Sequence, residues 1–485
     1  MDKKIIPLCW ISLSLFSACQ EKQNDNEEMP NVLFVSIDDM NDWVDCLDGP
    51  KSVNTPHLDN LASQGVLFSN AHCTAPASAP SRTSVMTGLR PSTSGVYSNI
   101  HDLREAPVLD TAKTIPEYFK ELGYTVKGGG KLFHALCWIQ TNYGRDQNIP
   151  GIWDDYFPSK ERSLPETVWP ESAEKDSEGT VTWTPIAGAD NENRPAWFFD
   201  FGPVGKEENY ADYKVVDWAL NELKKDHDDP LFLGVGIYRP HLPWFVPQEY
   251  FDLYPLDEIE LPELKEGDLD NVSEVSHNWL RRSWHNWIVE NDQWEKAIRA
   301  YKASMSFADA QLGRLIDGLK ESGEFENTII VLWSDHGMHL GEKEQWEKFT
   351  LWERATRVPM VFVGPDIEEG GVSSQPASLL DIFPTLVEMT NNEPFDQLEG
   401  KSLLPILKDT EEQRAEPAVT TWHYGNHAMR NDRWRYIHYH NGDEELYDHN
   451  DDPNEFYNLA DDPQYSHIID SLKQWLPEIN VDPIE

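Results

Sequence analysis

Asn31-Val-Leu-Phe-Val-Ser-Ile-Asp-Asp-Met40 is the stretch on which the fold turns. Its run of Val, Leu, Phe and Ile lacks strict alternation, which describes a strand buried on both faces, and it stops abruptly at Asp38-Asp39. The same pattern returns much later in "NTIIVLWSDHG" (Asn327 to Gly337), where the apolar run ends in Asp335-His336. "PLFLGVGIYRPH" (Pro230 to His241) and "VPMVFVGP" (Val358 to Pro365) are two more such runs. Between them lie amphipathic helical patterns at Thr114–Gly123, Tyr213–Lys225 and Ala297–Gly323. Strands alternating with helices predict an α/β fold built on a large, mostly parallel sheet flanked by helices. In such sheets ligands collect beyond the carboxyl ends of the strands, where both acidic pairs fall.

Outside this frame the chain changes character several times. Residues Leu136 to Pro203 are rich in Trp, Pro and Glu without clear period and read as an insertion. From about Asp409, short alternating aromatic strands with polar turns, then a helix over Ser466–Trp475, predict a small antiparallel-sheet subdomain. At the N-terminus, Lys3-Lys4 precede an apolar run, Ile5 to Phe16, too short to span a bilayer. Phe16-Ser17-Ala18-Cys19 then has the form of a bacterial lipobox. The expected organisation is a lipoprotein-type signal peptide at 1–18, a polar tether at 19–29, a large α/β domain at 30–410 and an α+β subdomain at 411–485. This implies an exported bacterial lipoprotein, periplasmic or on the cell surface, or secreted if Cys19 is not lipidated. A lipid anchor would be its sole tie to a membrane. Cys46, Cys73 and Cys137 remain in the mature chain, without zinc spacing, and read as buried thiols with room for one disulfide.

The charge balance sharpens the search for a site. With 85 Asp+Glu against 40 Lys+Arg, the formal charge is −45, which argues against nucleic acid as a partner. Two adjacent carboxylates at a strand end repel, and a divalent cation relieves them. One such pair is equally well a cap for the turn that follows; two matched pairs point to a metal. Asp38, Asp39 and Asp335 favour a hard ion, Ca2+ before Mg2+, with His336 as the unusual fourth ligand. "SAPSRTSVMTG" (Ser78 to Gly88) places Ser78 at the start of a helix, with Pro80 in its first turn and Arg82 one turn on. That arrangement suits an anion at a helix N-terminus, with a guanidinium fork beside it. It has neither a G-x-S-x-G elbow nor a local triad partner. "GGGKLFH" adds Lys131 and His134 behind glycines that permit close backbone approach, but it is not a Walker A loop. "RPHLPWFVP" holds His241 in a loop between prolines, and Lys348 lies in a charged stretch.

Taken in order, DD, S-x-P-S-R-x-S-x-x-T-G, GK-x-x-H, PH-x-P, DHG-x-x-L-GE and W-x-K resemble the type I sulfatases of the alkaline-phosphatase-like superfamily, from Asn31 to about Asp461. "GKLFH", Asp335-His336 and "RPHLPWFVPQEYFDLYP" resemble the iduronate-2-sulfatase-like branch. The resemblance implies that Ser78 is oxidised to formylglycine by a serine-type maturase. One hydroxyl of the hydrated aldehyde would attack sulfur, and loss of the proton from the other would expel sulfate. It further implies Ca2+ held by Asp38, Asp39, Asp335, His336 and modified Ser78, with Arg82 holding the formylglycine. His134 would orient or deprotonate the hydrate. Lys131, Lys348 and His241 would neutralise sulfate, with His241 or Lys348 protonating the leaving oxygen. The expected substrate is a sulfated oligo- or polysaccharide, with a 2-O-sulfated uronic acid of heparan or dermatan first and a carrageenan- or ulvan-type glycan as rival. Trp138, Trp153, Trp169 and Trp183 could shape a glycan cleft or simply pack a core. Two other readings stay open: a phosphate or phosphonate monoester hydrolase of the same fold, and a non-catalytic surface protein that binds sulfated glycan.

Overall fold

In the computed structural model the opening stretch is strand β1, Asn31–Ile37, at the heart of an eight-stranded sheet. The other strands are β2 (Val66–Phe68), β3 (Thr125–Gly130), β4 (Asp155–Phe157), β5 (Leu231–Ile237), β6 (Thr328–Ser334), β7 (Met360–Val363) and β8 (Gly371–Ser373). Their order across the sheet is β8-β2-β7-β6-β1-β5-β3-β4. β1 pairs in parallel with β6 on one side and β5 on the other, and β7 alone runs against its neighbours. The described residues are 29–49, 53–134, 151–158, 170–175, 181–183, 186, 188–190, 194–196 and 198–484. The expected signal peptide, most of the tether, Cys137, Trp138 and Trp169 lie outside them.

Because side chains alternate across a strand, β1 feeds two cores. Leu33, Val35 and Ile37 pack with helices α1 (Pro56–Ala62), α4 (Ala211–Leu223) and α5 (Trp294–Ser322). Val32 and Phe34 pack on the other face with α2 (Ser78–Thr87), α3 (Ile115–Glu121) and α6 (Ile382–Met389). Burial on both faces is why the strand reads as a continuous apolar run rather than an alternating one. The helix ends follow the local chemistry: Thr114 and Glu117 form a capping box on α3, and Gly323 ends α5 in the left-handed conformation.

One feature differs from the sequence expectation. Asp155–Phe157, inside the presumed insertion, is the edge strand of the main sheet, and Trp153 beside it is buried in the core. Gly128 to Gly130 end β3 and permit the close backbone approach that the sequence predicts. A Cβ on Gly130 would overlap the Gly236 carbonyl of β5, and Gly130 sits at φ +74°. These glycines let β3 and β5 approach closely enough to set Lys131 at the sheet's carboxyl edge.

The C-terminal subdomain is a four-stranded antiparallel sheet, β9 (Ala418–Thr421), β10 (His427–Arg430), β11 (Trp434–His438) and β12 (Glu444–Asp448), covered by α7 (Ser466–Lys473). Trp434 and Tyr436 pack with Ile469 and Leu472 of α7. Ile437, Tyr439 and Trp422 pack the other way, with Leu351, Trp352 and Ala77. The last residues return to the large domain, where Val481 N–H donates to the Ser92 carbonyl. Cys46 and Cys73 are free thiols, so no disulfide forms among the described residues.

Candidate active site

Four of the parallel strands end at one place, and each delivers a predicted residue there. Asp38 and Asp39 follow β1, Asp335 and His336 follow β6, Lys131 follows β3, and His241 sits four residues beyond β5. Consecutive residues of a strand would face opposite ways. Here Asp39 turns into the left-handed region, φ +61°, a conformation aspartate tolerates, and both carboxylates join one cluster. The Tyr301 hydroxyl fixes this turn, donating to the Asp39 carbonyl (2.7 Å) and accepting from Asn41 N–H (3.0 Å).

Ser78 is the first residue of α2, and its Oγ lies 3.0 Å from His336 Nε2 and 3.4 Å from Asp38 Oδ1. Ala79 N–H donates to Asn99 Oδ1 (2.9 Å), and Pro80 has no N–H. The helix therefore offers an anion its dipole more than a nest of open donors. Arg82 is fully buried, with Nε 2.9 Å from Asp335 Oδ2 and Nη2 3.1 Å from Asp38 Oδ1. Nη1 reaches Ser36 Oγ and the Leu132 carbonyl, both at 3.2 Å, and also the Lys131 carbonyl. The fork that looked free to hold an oxyanion is thus engaged in tying the two acidic strand ends together.

Lys131 Nζ pairs with Asp38 Oδ2, and Lys348 Nζ lies 2.6 Å from Asp39 Oδ1. Three carboxylates are therefore balanced by Arg82, Lys131 and Lys348. Burial pushes Asp38 upward, but Lys131 and Arg82 outweigh it and hold the carboxyl well below the usual range. Burial likewise opposes Asp39, whose pKa is lowered chiefly by Lys348. His134 has both ring nitrogens buried and without a hydrogen-bond partner among the described residues, and burial keeps it neutral, well below the ordinary histidine value.

The donor set fits a divalent cation. One ligand atom each from Asp38, Asp39, Asp335 and His336 falls within 4.8 Å of the others. His336 Nδ1 bonds the Gly337 carbonyl (3.1 Å), which makes Nε2 the lone-pair atom in the neutral ring. That Nε2 stands 3.3 Å from Asp39 Oδ1 and 3.5 Å from Asp335 Oδ2. Lone pair against carboxylate is repulsive unless a cation lies between them, and oxygen distances of roughly 2.3–2.6 Å would suit the span. Among the described residues the other acidic cluster, Glu353, His449 and Glu455, is instead paired with Arg430 and Arg435.

A family model described as Sulfatase matches residues 30–392, most of the chain and every residue of this cluster. The chain belongs to the sulfatase family. It is an enzyme that hydrolyses sulfate esters, on the alkaline-phosphatase-like fold. A second model, the C-terminal region of N-sulphoglucosamine sulphohydrolase, matches 341–482 and takes in the segment carrying Lys348. A protein named Sulfatase from Formosa agariphila is 37% identical over 477 residues, covering 95% of this chain and 89% of the relative. Iduronate 2-sulfatase from Homo sapiens is 31% identical over 417 residues, covering 80% and 68%. The solved structure of a 2-O GAG (glycosaminoglycan) sulfatase superposes with TM-score 0.68 at 22% identity, over 93% of this chain and 91% of that one.

Several side chains that shape the sulfatase site were not singled out from sequence. The Tyr238 ring packs at a tilt 4.8 Å from the His241 ring and lies 5.1 Å under Lys131 Nζ, so it contacts both. Asp212, at the start of α4, accepts the Tyr238 and Arg239 N–H groups (2.7 and 3.1 Å) and anchors the loop bearing His241. Ser36 donates to the Lys131 carbonyl (2.9 Å). As the one hydroxyl in the β1 run it carried a signal, whereas Tyr301, on a helix far along the chain, carried none.

Proposed function

We propose that this sulfatase removes sulfate from a sulfated glycan, with a 2-O-sulfated uronic acid of a glycosaminoglycan as substrate, through formylglycine at position 78 and one Ca2+. The observation that carries the proposal is Ser78 at the first position of α2, within 3.0 Å of His336 Nε2 and 3.4 Å of Asp38. A side chain so placed can share a cation with the acidic cluster and face an incoming ester at once. The choice of sugar leans on the identity to iduronate 2-sulfatase and on the likeness to a 2-O GAG sulfatase.

Asp38, Asp39, Asp335 and His336 would hold the ion, together with modified Ser78. When bound, it supplies positive charge that draws a sulfate oxygen and stabilises charge developing on it. Formylglycine supplies an oxygen nucleophile that can be regenerated, where plain serine would stop at a stable sulfate ester. Arg82 keeps the two acidic strand ends in register. Lys131 and Lys348 bring buried ammonium groups to the sulfate oxygens. His134, neutral and without a partner among the described residues, takes a proton from the modified side chain at a ring nitrogen. His241 Nδ1 bonds the Leu242 carbonyl (2.7 Å), so the neutral ring presents Nε2 as an acceptor. Lys348 is then the group that carries a proton for the leaving oxygen.

The proposal extends to a serine-type maturase as partner and to export as a lipoprotein anchored through Cys19, facing the periplasm or the surface. Peptide mass spectrometry across Ser78, on protein from a host with that maturase, tests it beside turnover of 4-methylumbelliferyl sulfate against the phosphate. Formylglycine with sulfate turnover, both lost in Ser78→Ala, is the expected result. Unmodified serine in fully active enzyme would overturn the mechanism, and preference for phosphate would overturn the substrate reading. Unmodified serine with no turnover, in a host whose maturase is active, would favour a non-catalytic binding role.

A further inference from the structure

The hairpin loop from Trp422 to Asn426 joins β9 to β10 and lies at the Ser78 end of α2. β9 is docked there by Thr421 N–H donating to the Thr74 carbonyl (2.8 Å) and Thr420 Oγ1 donating to the Cys73 carbonyl (2.6 Å). A line of rings runs outward from the site. Phe349 follows Lys348 directly, and its N–H donates to the Pro76 carbonyl (3.1 Å). Trp422 stacks on Phe349 at 5.4 Å between ring centroids. His423 continues the line, 4.1 Å from Trp422 and 6.2 Å from Trp279. His423 is exposed and sits at φ +56°, a conformation that costs a histidine energy and is held by its surroundings.

A second loop closes the other side. Asn99 holds the Ala79 N–H of α2, and the Tyr97 ring meets the Tyr424 ring edge-on at 6.3 Å. Between Asn99 and His101, Ile100 is 90% exposed, and Tyr424 is 44% exposed. Tyr424 follows His423 and is held by Tyr97, so its exposed ring stands at the outer end of the aromatic line. Arg281, which lies over Phe349 (5.1 Å), is already paired with Glu347 (2.6 Å).

We infer that His423, Tyr424, Trp279 and Ile100 form a subsite for the sugar joined to the sulfated residue, so that the enzyme reads its substrate as an oligosaccharide. The inference rests on the sulfated-glycan reading proposed above. A pyranose ring offers an apolar C–H face and an edge of hydroxyls. Aromatic and imidazole faces match the first. A neutral imidazole beside a tyrosine hydroxyl matches the second. Although one side of the ring is open to solvent, the loss of water where it packs against Trp422 and Trp279, with His101 nearby, lowers His423 to about 4, so it meets the sugar uncharged at neutral pH. The sulfate-binding charges stay on the floor, and selection of the sugar falls to the rim.

The test compares wild type with His423→Gly and Tyr424→Ala, all carrying formylglycine. Glycine accepts the positive φ without strain. The substrates are 4-methylumbelliferyl sulfate and sulfated di- and tetrasaccharides from heparin, dermatan sulfate and ulvan. The readout is the ratio of kcat/KM on saccharide to kcat/KM on the aryl sulfate, taken within one preparation, which cancels any loss of folded or matured enzyme. A fall in that ratio of about tenfold, through KM on the saccharide, supports the subsite. A ratio within about twofold of wild type in both variants overturns it while leaving the glycan reading intact. Wild type that turns over the aryl sulfate and no saccharide overturns both.

Discussion

Replacing Arg435 by Met should loosen the C-terminal subdomain from the sheet domain, and the loss should depend on pH. Arg435 lies fully buried on the face of β11 turned toward the large domain. Its Nε is 2.7 Å from Glu455 Oε1, Nη1 donates to the Leu351 carbonyl (2.9 Å), and Nη2 donates to Thr356 Oγ1 (2.9 Å) and pairs with Glu353. Removing one partner of a buried ion pair costs about 3–5 kcal/mol, because the other charge is left without compensation. Arg430 still lies 3.3 Å from Glu353, and His449 3.1 Å from Glu455, so we expect about 3 kcal/mol at pH 7.5. Burial pushes both glutamates upward, yet the cations hold Glu353 well below, and Glu455 below, the ordinary carboxylate value. In wild type that depression stabilises the fold above the unfolded-state pKa and is lost as pH falls through the folded one. In Arg435→Met burial gains the upper hand at Glu455, whose folded pKa rises above the unfolded value. The variant's deficit then grows with pH, by up to about 1.4 kcal/mol per unit until the carboxylate ionises. Urea unfolding followed by tryptophan fluorescence at about pH 5 and pH 7.5 measures this. A deficit under about 1 kcal/mol at pH 7.5, or one equal at both pH values, would refute the reasoning.

Three further outcomes are expected. Tyr301→Phe strips the hydroxyl from the Asp39 turn and leaves a buried carbonyl and N–H unpaired, so urea midpoints should report a loss of about 1–3 kcal/mol; calcium titration calorimetry should show weaker binding. Gly130→Ala demands a positive φ of alanine and drives its methyl into the β5 backbone, so the variant should be recovered mostly insoluble, whereas Gly123→Ala, which demands a positive φ too but has nothing within 4 Å of the added methyl, should be destabilised by strain alone and remain soluble. Chelation with EGTA should abolish sulfate turnover and lower the melting temperature, and Ca2+ at a hundredfold over its Kd should restore about 2.7 kcal/mol of stability; an unchanged melting curve would count against an ion at the acidic cluster.

The fold was legible wherever its signal was local. β1, β5 and β6 announce themselves as apolar runs because both their faces are buried, and α5 shows a helical period to its glycine stop. The acidic pairs were legible for the same reason, as charge placed abruptly at the end of such a run. What was hidden depends on which strands lie side by side. Nothing near Gly128–Gly130 says that the residues sit against Gly234 and Gly236, so the run promised a close backbone approach without naming its partner. Asp155–Phe157 is a three-residue edge strand, too short for a period to declare it. The motif around Ser78 showed a guanidinium one turn from a hydroxyl, yet the partners of Arg82 come from two distant strand ends.

An acidic protein that takes an anionic substrate must balance its charge locally, at the site. Without an ion, the three carboxylates of the cluster are matched by Arg82, Lys131 and Lys348, so the site floor is close to neutral. Lys131 and Lys348 each rest on a carboxylate that a divalent cation would also claim. Binding the ion would therefore do two things in one step. It would add two positive charges to the floor, and it would compete the ammonium groups away from Asp38 and Asp39, freeing them for sulfate oxygens. Arg82 cannot be released in this way, because its donors are spread over both strand ends and two carbonyls. The division of labour follows from the side chains: the planar fork suits a fixed structural tie between carboxylates, and the flexible point charges suit transfer from protein to substrate.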